Sequence, residues 1–202
     1  MTIQDFDGRA ALVIERFDRG VDARVHQEDF NQALGASGNQ KYQRFGGVIS
    51  LQRIANALKK HAADNDLLRL ARMTVLAVAI GNLDMPAKNL GLLHPLAADV
   101  TLTPAYDVVP QAHLSRDGEL ALAVNGKYRH VEITQDDLVA EISAWGLRGA
   151  AQAVEVMLAE LGELVQTEHP LRGAYPDLQD HILKFVKNLR EGHPVGGRSA
   201  LG

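Results

Sequence analysis

Apolar positions recur along this chain in two periods, and the switches between them predict most of its elements. "AALVIERF", Ala10 to Phe17, is a short β-type run with little before it. "DRGVDARVHQED" predicts a turn and hairpin, and Gln27 to Leu34 one short helix. Ser50 stands as an N-cap before a helix from Leu51 to Ala62, whose apolar stripe is Leu51, Ile54, Ala55 and Leu58. Asp66 to Ile80 predicts a second helix, apolar around most of its circumference from Met73 onward, as in a helix at the centre of a domain. It stops at Gly81. Beyond a polar loop, Asn89 to His94 and Val100 to Leu102 read as a β-hairpin. Pro104 and Pro110 bracket "AYDVV" and argue against a central strand there. "ELALAVNGKYRHVEIT" is extended or irregular, with a turn at Asn125-Gly126. Three helices follow. Thr134 and Asp137 start one that runs to Trp145; the others are Leu147 to Thr167 and Leu178 to Arg190. The predicted fold class is mainly α (α+β), a helical bundle with a small β-hairpin. One domain is expected over 1–190, with a flexible tail at 191–202.

Composition narrows the function classes. With 202 residues, 46% hydrophobic and 23% charged, the chain can bury a substantial core. The net charge of −4 argues against nucleic-acid binding driven by overall charge. There is no cysteine, which excludes disulfides and cysteine-ligated zinc. "MTIQDFDGRA" is acidic and polar where a leader needs an apolar run, and Met73 to Ile80 is far shorter than a bilayer span. A cytoplasmic protein with no membrane partner is expected. The eight histidines are scattered and suit surface or capping roles, and Trp145 suits the core. Lys184, Lys187 and Arg190 share a face of the last helix, which reads as solvated; direct DNA contact is not expected.

The chemistry gathers in "GNLDMPAKN", Gly81 to Asn89. Asp84 and Asn89 are separated by four residues, after a buried helix and before a hairpin, and Asp107 follows on the far side of that hairpin. Phosphoryl transfer needs a carboxylate to orient or accept the proton of an attacking hydroxyl, and oxygen ligands for Mg²⁺. Protein kinases space the catalytic Asp and the metal-binding Asn in this way. The bland alternative is that Asp84 and Asn89 are turn formers and that Asp107 caps a short helix at Val108. Tyr106 reads as a packing ring that fixes the loop of Asp107.

Four ordered stretches resemble the C-terminal lobe of a HipA-like serine/threonine kinase, the toxin of a bacterial toxin-antitoxin pair. "VIERFDR" (Val13 to Arg19) is similar to the hinge strand, and "KYQRFGG" (Lys41 to Gly47) to a K-Y-x-x-x-G-G segment. "GNLDMPAKN" is similar to the catalytic loop, and "LTPAYDVV" (Leu102 to Val109) to the metal-binding segment. The resemblance spans roughly Ala11 to Arg190. It implies a kinase-like C-terminal lobe whose hairpin carries the catalytic and metal loops. It further implies Asp84 as the catalytic residue, with Lys88 near the transferring phosphate, and Asn89 and Asp107 as Mg²⁺ ligands. Glu15 and Phe17 would offer hinge backbone groups to the adenine of ATP, and Asp18 would reach the ribose. The implied partners are a protein substrate and a helix-turn-helix antitoxin.

Two departures qualify the resemblance. The family's usual His two residues after the catalytic Asp is Pro86 here. No Gly-rich phosphate loop or phosphate-pairing lysine precedes Ala11, and Arg9 is a poor stand-in. "GASGNQ" (Gly35 to Gln40) reads as an ordinary loop. The chain is therefore expected to be an excised C-lobe, a truncated gene product or one half of a split enzyme with a separate N-lobe, and to be inactive or nearly so alone. The alternative is a non-catalytic interaction module or truncated remnant that binds a helix-turn-helix antitoxin-like partner.

Overall fold

In a computed structural model of the chain, residues 2–20, 23–36, 47–62, 65–114, 118–170 and 173–197 are described. Most of the "KYQRFGG" segment lies outside them. Among them the fold is mixed α/β, with more strand than the apolar periodicity predicts. Strands β1 (Thr2–Phe6) and β2 (Arg9–Val13) form an antiparallel hairpin, with Ile3 opposite Leu12. The sequence reading missed β1 because its polar residues mask a two-residue alternation. The hairpin's turn is Asp7-Gly8, both at positive φ, as a tight two-residue turn demands.

Strand β3 (His26–Asp29) and the one-turn helix α1 (Phe30–Ala33) replace the single helix expected from Gln27. The helix starts at a capping box: Asp29 accepts from the Gln32 N–H, and the Gln32 side chain accepts from the Asp29 N–H. Ahead of that cap the chain is claimed by a partner far along the sequence. β3 pairs antiparallel with β4 (Gly91–His94), Asp29 opposite Gly91, and β4 pairs with β5 (Thr101–Leu102). The predicted hairpin is thus two strands of a three-stranded sheet.

The helices follow the sequence closely. In α2 (Leu51–His61) the Ser50 hydroxyl accepts from the Arg53 N–H, and Leu51, Ile54, Ala55 and Leu58 are all buried. Helix α3 (Asp66–Ile80) runs through the core. Its first-turn Asp66 is buried and accepts from Arg69 at 2.7 Å and from the Leu102 N–H at 2.8 Å, which ties the helix start to β5. The helix ends where Gly81 turns left-handed (φ 70) and the Asn82 N–H closes back on the Ala77 carbonyl at 2.8 Å.

Strands β6 (Glu119–Val124) and β7 (Lys127–Arg129) form a second hairpin, turned at Asn125 (φ 49) and Gly126 (φ 76). Helices α4 (Gln135–Ala144), α5 (Ala150–Thr167) and α6 (Leu178–Arg190) pack against α3. Trp145 is fully buried. On α6, Arg190 pairs with Glu155 and Lys187 with Glu191, in keeping with a solvated basic face. His130 departs from its expected surface role. It is buried, its Nε2 lies 2.7 Å from the Val78 carbonyl, and burial pushes its pKa down. A carbonyl only accepts, so Nε2 carries the proton of the neutral ring. Residues 191–197, expected to fray, are held: Val195 is buried and its N–H donates to the Ile133 carbonyl.

Asp137 gives a pH-dependent prediction. Burial raises its pKa, but hydrogen bonds from Lys127, Asn125 and Thr134 outweigh burial and leave it below the usual carboxylate range. A carboxylate whose folded pKa is depressed stabilises the fold above its unfolded pKa, about 4, and loses that contribution as pH falls through the lower folded value. The melting-temperature gap between wild type and Asp137→Asn should be full at pH 6 and close as the pH drops below 4.

Candidate functional site

The helix stop at Gly81 positions the loop that follows. Gly81 has no room for a side chain: an added Cβ would lie 2.5 Å from the Ala112 Cβ and 3.3 Å from the Phe185 ring. The close approach lets the Gly81 carbonyl accept from the Gln111 and Ala112 N–H groups, which draws in the far end of the segment after β5. Gly81→Ala should cost about 3 kcal/mol, combining a left-handed alanine with a clash against a backbone-fixed Cβ. Denaturant unfolding measures this cost.

From Gly81 the chain is held at successive points. The Asn82 side-chain oxygen accepts from the Asp84 N–H at 3.2 Å, and Leu83 pairs with β6 through its carbonyl and the Ala121 N–H. Pro86 is extended, and Ala87–Asn89 make one 3₁₀ turn with Ala87 fully buried beneath. Asn89 is buried, and its Nδ2 donates to the Asp84 carbonyl at 3.1 Å and to Asp107 Oδ2 at 3.0 Å. Asp107 is exposed and left-handed (φ 55), a conformation that Asp tolerates better than most residues. It is part of no helix, so the cap expected of a turn reading is not formed. Asp84 is partly exposed, with its backbone fixed on both sides. Lys88 is exposed, and its carbonyl accepts from the Tyr106 hydroxyl at 2.7 Å.

The hinge residues stand differently. The Phe17 ring lies 5.7 Å from that of Tyr106, which brings the segment to the edge of the loop cluster. Glu15 is exposed. Asp18 is buried and its carboxylate is held by Arg16 (2.8 Å from Nε) and Arg19 (3.4 Å). The Arg16 hydrogen bond keeps its pKa below the ordinary value. The structure thus brings Asp84, Lys88, Asn89 and Asp107 together, joins Phe17 to them through Tyr106, and engages Asp18 with arginines.

Two residues at the site escaped the sequence reading. Gln27 and Asp29 of β3 both act electrostatically on the Tyr106 phenol. Burial, then Asp29, and more weakly Asp107 push the phenol pKa up to about 12, against an opposing influence of Gln27. The only local clue was the Asp29 capping box, which marks a helix start and says nothing of what precedes it.

A buried helix thus carries two loops that converge on an Asn–Asp pair. Residues 1–168 match the model of the HipA-like C-terminal domain, and the chain belongs to that family. It is 30% identical over 187 residues to a Sinorhizobium fredii protein named "Putative kinase Y4dM", covering 90% of this chain and 45% of that one. It is 30% identical over 138 residues to "Putative kinase Y4mE" of the same organism, covering 64% of this chain and 32% of that one. The chain therefore spans less than half the length of these relatives. Among solved structures, HipA of Shewanella oneidensis, in complex with HipB and operator DNA, has the same fold. The TM-score is 0.74 at 22% identity, over 94% of this chain and 53% of that one. Among the described residues no helix is long and apolar enough to cross a membrane.

Proposed function

We propose that this chain is the catalytic C-terminal lobe of a HipA-like serine/threonine kinase, which transfers the γ-phosphate of ATP to a protein hydroxyl in the cytoplasm. The observation that carries this reading is the 3.0 Å contact between Asn89 and Asp107, with Asp84 held to the same amide through its carbonyl. Both hydrogens of the Asn89 amide point at oxygens, so its own oxygen is the atom left for a cation. With the Asp107 carboxylate beside it, the donor set is all oxygen and suits Mg²⁺. When bound, Mg²⁺ neutralises phosphate charge. Asp84 then orients the substrate hydroxyl and accepts its proton, and Lys88 offers a cation near the phosphate. Glu15 and Phe17 supply hinge backbone groups to adenine. Asp18 reaches the ribose only if it yields an arginine contact.

The Gly-rich loop and lysine that cradle phosphates would come from an N-lobe, and the exposed Ile3, Phe6 and Leu12 on the β1–β2 hairpin offer it an apolar surface. A two-stranded hairpin with open edges is marginal in water, so it suits a partner surface. A helix-turn-helix antitoxin is the proposed regulatory partner. Calorimetric titration with ATP, with and without Mg²⁺, tests the site. Binding that needs Mg²⁺ supports the reading; no binding under either condition refutes it for the lobe alone.

A further inference from the structure

Tyr106 touches two other parts of the site at once: its hydroxyl donates to the Lys88 carbonyl at 2.7 Å, and its ring lies against Phe17. Its own backbone leads directly into Asp107. Lys88 is the middle residue of the 3₁₀ turn Ala87–Asn89, so a bond to its carbonyl restrains the turn from which the Asn89 amide projects. A ring that only filled space would need no hydroxyl; here the hydroxyl has a backbone acceptor on the opposite loop.

We propose that Tyr106 is a positioning residue, a latch between the two loops. Its hydroxyl sets the turn so that the Asn89 amide meets Asp107, and its ring carries that geometry to the hinge segment at Phe17. What the latch achieves rests on the magnesium-nucleotide reading above; its existence does not.

The test is Tyr106→Phe in the full chain, which deletes the hydroxyl and keeps the ring. Amide hydrogen exchange at Asn89 and Leu90, whose N–H groups bond within the turn, should speed about tenfold while the centre of α3 is unchanged. ATP affinity with Mg²⁺ should fall about tenfold, with affinity in chelator unaltered, because only the metal-linked geometry is lost. A purely structural tyrosine would weaken both affinities equally, and that outcome overturns the metal-positioning role. Unchanged exchange at Asn89 and Leu90 overturns the latch outright. If the wild-type chain binds no nucleotide, the kinase reading of the lobe fails, and the exchange result alone decides the latch.

Discussion

Asp107→Asn is expected to weaken Mg·ATP binding about 100-fold, a change on the scale of losing a ligand's charge at a metal site, and to leave the fold intact. The choice of asparagine follows from the backbone. Asp107 sits at φ 55, where alanine would add about 1–2 kcal/mol of strain and confound the result. Asparagine tolerates that conformation and keeps an oxygen to accept from Asn89 Nδ2. Only the negative charge is removed, so the loss reports the electrostatic demand of the cation. Calorimetry measures the affinity and thermal melting the fold. An unchanged affinity beside a wild type that binds would remove Asp107 from the metal site. A lowered melting temperature with no loss of affinity would favour the turn-former reading of this residue.

Trp145→Ala should be the most damaging single change to stability, costing about 4 kcal/mol and lowering the melting temperature by roughly 10 °C. The indole is fully buried at the end of α4, and its Nε1–H donates to Glu141 Oε1 at 3.0 Å. Glu141 Oε2 in turn accepts from the Asn125 N–H, which ties the β6–β7 turn to α4. Truncation therefore opens a large cavity and frees one end of a linked pair of bonds. Trp145→Phe should lose much less, since it refills most of the volume and gives up only the hydrogen bond. Equal losses in the two variants would show that the indole N–H, and not packing, holds this corner.

The helices were legible because their signals are local. The stripe Leu51, Ile54, Ala55 and Leu58, the caps Ser50 and Thr134, and the stop at Gly81 each act within a turn or two of the chain, and each appears where its pattern placed it. The Asp84–Asn89 spacing was equally legible, because the loop between them is short. Strands β1 and β3 were not: polar residues dominate both, and alternation over so few positions carries little weight. β3 pairs with β4 closely, the Glu28 carbonyl lying only 3.1 Å from where a Cβ on Gly91 would be. Nothing local to Gln27 records that.

By itself, then, the order of residues determined the helical frame, the buried core of α3 and the set of polar residues on the two loops. Only the tertiary structure decided that Asn89 and Asp107 meet at 3.0 Å, that Tyr106 joins Lys88 to Phe17, and that β3 flanks the site. The physical reason is range. Capping, turn closure and amphipathic burial are satisfied among near neighbours. A contact across the β4–β5 hairpin depends on strand register and on the packing of α3 beneath it, and no short stretch of sequence holds both.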